Sequence, residues 1–160
     1  MSTELPVTGV VAINRMRGED DHETALLESM AQQAQAFLAE FGWCKEITDF
    51  YFGNGIGGVF AVFFARIQLT RPEIDEYLWV IVGDIPPAYL VIDVCRTPAE
   101  AMSAYIEEMR RWVAAAKAGR MSGDIIPVDV PATPETVQLL ETRLDVLERD
   151  ILPAWFGECR

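Results

Sequence analysis

Two runs in the chain, VFAVFFARI at 59–67 and YLWVIVG at 77–83, are apolar at odd and even positions alike. A strand with one wet face alternates apolar and polar residues, so unbroken runs of this kind predict central strands covered on both sides. The neighbouring runs are more mixed. ITDFYF at 47–52 sets Ile47, Asp49 and Tyr51 against Thr48, Phe50 and Phe52, and AYLVIDV at 88–94 places Leu90 and Ile92 opposite Val91 and Asp93. The connections between these runs are too short for crossover helices, which predicts an antiparallel meander.

A different period frames the strands. Leu26, Leu27, Met30, Ala34, Phe37, Leu38 and Phe41 recur at helical spacing and predict a helix over 22–41, with Asp21 as its N-cap and Gly42 as its stop. Thr97-Pro98-Ala99-Glu100 combines a capping box with Pro at the first helical position. Met102, Tyr105, Ile106, Met109, Trp112, Val113 and Ala116 form the stripe that follows, and Gly119 ends it. Thr133-Pro134 starts a third helix, whose seam of Val137, Leu140, Leu144, Leu147 and Ile151 runs to Pro153. Ahead of the first helix, LPVTGVVAINR reads as an edge strand or ordered arm within residues 1–18. Between the second and third helices, Ile126, Val128 and Val130 alternate as an extended segment pressed on the body would.

The pattern therefore predicts one α+β domain over 1–160: a four-stranded antiparallel meander packed with three helices in the order α-β-β-β-β-α-α. Small residues at Ala61 and Ala65 suit close packing of a helix on the sheet. Three helices leave it open whether both faces of the central strands are covered, and an uncovered apolar face is an interface, so a homodimer is expected. The competing expectation is that the N-terminal arm and the segment 120–132 complete the cover.

Composition narrows the partners. With 13 Lys and Arg against 25 Asp and Glu, the net charge is −12. A phosphate-binding surface needs a basic stripe, and Arg110-Arg111 is the longest basic run, so nucleic acid and anionic membranes are not expected partners. A basic protein partner is compatible with this charge. The first residues, MSTELPVTGVV, lack a basic n-region and a long apolar run, and Cys44, Cys95 and Cys159 are odd in number and far apart. Both features point to a reduced cytoplasm.

Candidate chemistry is sparse. GNGIGG at 53–58 has the look of a phosphate loop, but the β-rich VFAVFFARI follows where a helix N-terminus would be needed. Asn54-Gly55 reads instead as a hairpin turn. EDDHE at 19–23 reads as a helix start whose acids complement the macrodipole, because adjacent side chains point in different directions and build a metal shell poorly. His22 is the single histidine, and no G-x-S-x-G or H-E-x-x-H motif occurs. No catalytic residue, metal site or cofactor is assigned, and the chain reads as a non-enzymatic protein-interaction module, with a small-molecule binder or an enzyme using a cavity between sheet and helix as the alternative.

The stretch WVIVGDIPPAYLVID at 79–93 is the best candidate for a binding surface. Pro86 and Pro87 fix φ and make a stiff corner between two apolar runs, which presents Asp84, Ile85 and Tyr89 at low entropy cost. The aromatic residues Trp79, Tyr89, Tyr105 and Trp112 belong to the core or line a ligand cavity between sheet and helix, and Trp79 and Trp112 join the candidate binding set. In size, charge and helix–strand mix the chain resembles small acidic bacterial proteins such as toxin-neutralising immunity proteins and secretion chaperones. That likeness carries no residue motif, so it transfers no functional residue. Eleven Arg against two Lys is the bias of a GC-rich bacterial genome.

Overall fold

The computed structural model describes residues 5–70, 77–91, 95–119 and 132–158. The chain forms strand β1 (Val11–Ala12), a 3-10 turn (Ile13–Arg15), helix α1 (Asp21–Ala39), and strands β2 (Cys44–Ile56), β3 (Phe60–Leu69), β4 (Tyr77–Gly83) and β5 (Ala88–Val91). Helix α2 (Pro98–Ala118) follows, then α3 (Pro134–Val146), a π turn (Leu147–Ile151) and α4 (Leu152–Glu158). The five strands lie side by side in chain order, and every neighbouring pair is antiparallel.

The class is α+β with an antiparallel meander, as the hydrophobic pattern implies, but the described residues form five strands rather than four. The extra strand pairs Val11 with Phe52 and Ala12 with Tyr51 on the outer edge of β2. Of the two readings of LPVTGVVAINR, an edge strand or an ordered arm, the pairing selects the edge strand for Val11 and Ala12. The element order accordingly starts β-α rather than α.

The central strands obey the two-faced pattern. Phe60 to Ala65 in β3 and Leu78 to Val82 in β4 are all buried. One set, Phe60, Val62, Phe64, Trp79 and Ile81, packs with α2, α3 and α4. The other, Ala61, Phe63, Ala65, Leu78, Val80 and Val82, packs under Leu27, Met30, Ala31, Ala34 and Leu38 of α1. Segments near the N-terminus complete each layer: Val7 is buried in the first cluster and Met16 in the second. Three helical bodies and this arm thus cover both faces within one chain. The ground for expecting a homodimer, an uncovered face on these strands, is absent.

Local rules decide the helix ends. Asp20, not Asp21, is the N-cap of α1, and its carboxylate accepts the Glu23 N–H at 2.8 Å. The helix ends at Ala39, ahead of Gly42. Thr97 caps α2 through the Glu100 N–H, while the Glu100 carboxylate accepts the Arg96 N–H at 2.7 Å. Gly119 closes α2 and Thr133 opens α3, both as the sequence indicates. Pro153 does not stop the last helix. The π turn ahead of it bonds the Leu152 N–H to the Leu147 carbonyl, and Pro153 then falls in the first turn of α4. Pro153 has no N–H of its own, and the chain meets it through a π turn, where the regular helical ladder is already interrupted. The expected strand residues 92–94 and the extended segment through 126–130 lie outside the described residues.

The turn between β2 and β3 is also displaced from its expected place. Asn54 and Gly55 lie inside β2, opposite Val62 and Ala61, and the chain reverses at 57–59 with Gly58 at φ 80°. A two-residue turn at Asn54-Gly55 would set Gly57 against Phe52 and Gly58 against Tyr51. The observed register instead faces Phe52 with Phe63 and Tyr51 with Phe64, at ring separations of 5.8 and 6.2 Å. Ring packing outweighs the local turn preference.

At the far end of β4, Gly83 has φ 143°, and a Cβ there would strike the Val59 carbonyl and the Phe60 Cα. Both obstacles are backbone and cannot swing away. Gly83→Ala should therefore cost about 2 kcal/mol or more, read as a lower urea midpoint with an unchanged slope. A midpoint within error of the parent would contradict the tight approach.

Candidate functional site

Gly83 delivers the chain into the corner Asp84-Ile85-Pro86-Pro87, which is tied down from three directions. The Asp84 N–H donates to the Val59 carbonyl of the β2–β3 turn at 2.7 Å. Tyr105 of α2, itself fully buried, donates its hydroxyl to the Pro86 carbonyl at 2.6 Å. Arg143 of α3 donates through Nε and Nη2 to Oδ2 of Asp84, at 3.0 and 2.8 Å. Ile85 sinks into the core between these ties. The corner lies between two strands and outside their ladder, so its carbonyls need donors from elsewhere, and Tyr105 supplies one.

An open groove flanks the corner on each side. The first, of about 290 Å³, runs between Asp84, Ile85 and Pro86 on one wall and Leu139, Leu140 and Arg143 of α3 on the other. The second, of about 400 Å³, lies toward α1 and is lined by Phe37, Glu40, Val82, Ile85 and Pro87 among others. Leu139 is 54% exposed, a large aliphatic side chain left in solvent beside the corner. It sits off the buried seam of Val137, Leu140 and Leu144.

The five residues singled out from the sequence separate into three places. Asp84 and Ile85 line the first groove together. Tyr89 is elsewhere: its ring packs on Phe41 and Trp43, each at 5.1 Å, in the cluster on the α1 side of the sheet. Phe41 also meets Phe37 at 5.2 Å, so Tyr89 reaches the second groove only through two intervening rings. Trp79 is fully buried against Phe64 at 4.9 Å, with its indole N–H donating to the Cys95 carbonyl at 3.0 Å. Trp112 is buried in the same core. Strand alternation explains the split: Ala88 and Leu90 face α2, which turns Tyr89 to the other side. Arg143 and Leu139 were not visible as site residues from the sequence. The one signal was an apolar residue, Leu139, outside the helix's own seam.

The two motif-like stretches meet in space as a structural clasp. One oxygen of the Glu23 carboxylate accepts the Glu19 N–H at 2.6 Å, and the other accepts the Gly57 N–H at 3.2 Å. A Cβ on Gly57 would lie 2.8 Å from Glu23 Cγ and 3.0 Å from Leu26 Cβ, so the glycine allows α1 to sit on the turn. EDDHE thus starts α1 and ties it to GNGIGG. His22 is exposed on the first turn of α1. Burial raises the thiol pKa of Cys44 and of Cys95, which lowers their thiolate fraction, and Glu100 adds to the effect at Cys95. Cys159 lies outside the described residues.

Among the described residues, no Asp, Glu, Lys, Arg or His is buried, and no three His, Cys, Asp or Glu are grouped to hold a metal ion. No described helix is long and apolar enough to cross a membrane. Comparison with protein-family models, with curated proteins and with solved structures gives no match to this chain.

Burial pushes the Tyr105 phenol well above its usual pKa of 10.0. The folded state keeps this proton at a pH where the unfolded chain has lost it. The associated stability is therefore complete below pH 10 and declines as the pH rises further. Tyr105→Phe should cost about 1–3 kcal/mol at neutral pH by stranding the Pro86 carbonyl. It should also make the decline above pH 10 shallower than in the parent. Urea denaturation at both pH values, with exchange of the Asp84 amide as a local probe, checks both effects.

Proposed function

We propose that the protein is a non-enzymatic interaction module, immunity-like or chaperone-like, that docks a partner protein on the corner Asp84–Pro87 and the adjoining face of α3. The observation that carries this reading is the corner's fixation. A segment with two prolines is held by a buried tyrosine hydroxyl, a backbone bond to the neighbouring turn and a two-pronged arginine contact. Open grooves nevertheless remain on both of its sides. A surface fixed before binding has little freedom left to lose when a partner arrives. Exposed Leu139 supplies apolar contact beside it.

The Asp84–Arg143 pair fits a recognition role better than a stabilising one. The Asp84 side chain is 66% exposed and that of Arg143 is 32% exposed, and pairs of that kind add only about 0–1 kcal/mol to stability. The competing reading, a small-molecule site or enzyme cavity between sheet and helix, has less support. Trp79, Tyr105, Met102 and Met109 fill that space themselves and are fully buried.

Affinity capture from an extract of the native cell, repeated with variants, tests the docking face. Leu139→Glu should weaken retention of the captured partner by about fivefold or more, equivalent to roughly 1 kcal/mol, with the melting temperature unchanged. His22→Ala and Cys44→Ser should leave retention as in the parent. Equal retention by Leu139→Glu and the parent would place any docking surface elsewhere.

A further inference from the structure

We infer that the occupant of the corner is a short basic–apolar segment of a partner protein, which sets a lysine or arginine on Asp84 and a large aliphatic side chain beside Leu139. This inference rests on the docking role proposed for the corner and names the chemistry that the corner selects.

The charges around the corner decide the sign. Both contacts from Arg143 end on Oδ2 of Asp84, and no described hydrogen bond reaches Oδ1. The carboxylate is also the more open member of the pair, 66% against 32%. An incoming cation can therefore approach Asp84 from solvent while Arg143 keeps its contact. An incoming anion would meet the less exposed member of the pair, a guanidinium that already gives Nε and Nη2 to Asp84. The second groove adds Glu40 and contributes no Lys or Arg. Asp84, Glu40 and Arg143 together give the two grooves a net charge of −1, and the whole chain carries −12. Long-range attraction and local pairing thus favour the same kind of partner.

The walls decide the rest. Ile85 and Pro86 face Leu139 and Leu140 across the first groove, which is an apolar slot beside the open carboxylate. Aliphatic side chains gain about 25 cal/mol for each Å² of apolar surface that they bury there. A cation alone would leave Leu139 in water, and an apolar segment alone would leave Oδ1 of Asp84 without a partner in a dehydrated interface. Only a segment carrying both answers both walls.

A random peptide library displayed on phage and panned over the full-length protein supplies the probe, with the enriched peptides then synthesised. They should share a Lys or Arg close to Leu, Ile, Val or Met. Their affinity for the protein should fall about fivefold or more with Asp84→Asn and with Leu139→Glu, and stay unchanged with His22→Ala. Arg143→Gln, which releases Asp84, should leave affinity equal or stronger. Melting temperatures of all variants separate lost binding from lost folding. Peptides that are lost with Leu139→Glu but lack a basic residue, or ignore Asp84→Asn, overturn the inference and leave the docking role standing. Peptides weakened by Arg143→Gln and not by Asp84→Asn overturn it in favour of an anionic partner. No peptide sensitive to Leu139→Glu overturns the docking role as well.

Discussion

The requirement to cover β3 and β4 on both faces governs this molecule. Phe60 to Ala65 and Leu78 to Val82 admit no water on either side, so the sheet cannot sit at the surface of a two-layer protein. A helix must lie on each side. Helix α1, ahead of the long strands in the chain, takes one face, and α2 with the α3–α4 rod takes the other. Alternation along β3 divides the work: Ala61 and Ala65 let α1 approach closely, while Phe60 and Phe64 fill the thicker layer under the C-terminal helices. The segments before α1 finish both layers, Val7 under the larger cluster and Met16 under the smaller.

The corner after β4 inherits its rigidity from that arrangement. It leaves the sheet from a central strand, where Gly83 is pressed against the backbone of the β2–β3 turn. It passes over α2 at the point where Tyr105 emerges from the core with a hydroxyl needing an acceptor, and the Pro86 carbonyl provides it. It then meets α3, whose buried seam orients Arg143 toward Asp84. Each tie comes from a different element, so no single helix movement releases the corner. The exposed face that results is small, apolar and edged by carboxylate, which is the chemistry on which the proposed role rests.

The acidic groups divide between structural and open uses. Asp20, Glu23 and Glu100 are taken up by backbone N–H groups at helix starts, where the exposed donors and the helix dipole both favour a carboxylate. Glu23 also reaches the β2–β3 turn, and so a stretch that looked like a metal cluster and one that looked like a phosphate loop stabilise each other. Arg110 of α2 spans to Asp145 and Glu148 at 3.0 and 2.7 Å and ties α2 to the start of the π turn that precedes Pro153. Asp84 differs from the helix-start acids in pairing with an arginine side chain at the wall of an open groove.

By itself the sequence determined the elements whose signals are local or periodic. The two-faced runs identified β3 and β4, the 3.6-residue stripes identified the helices, and Thr97, Gly119 and Thr133 marked helix ends, because caps and faces are set by residues within a few positions of one another. Only the tertiary structure decided what depends on partners distant in the chain. Ring packing across β2 and β3 moved the turn from Asn54-Gly55 to the glycines beyond, and pairing decided between edge strand and arm at Val11 and Ala12. The site shows the same division. Asp84, Ile85 and the stiffness of Pro86-Pro87 were legible, since they follow from residue type and flanking strands. The sheet's alternation sent Tyr89 to the opposite face, burial made Trp79 and Trp112 core, and the groove wall came from Leu139 and Arg143. The last tie joins residues fifty-nine positions apart, and no local pattern records that a folded α3 sets Arg143 against Asp84.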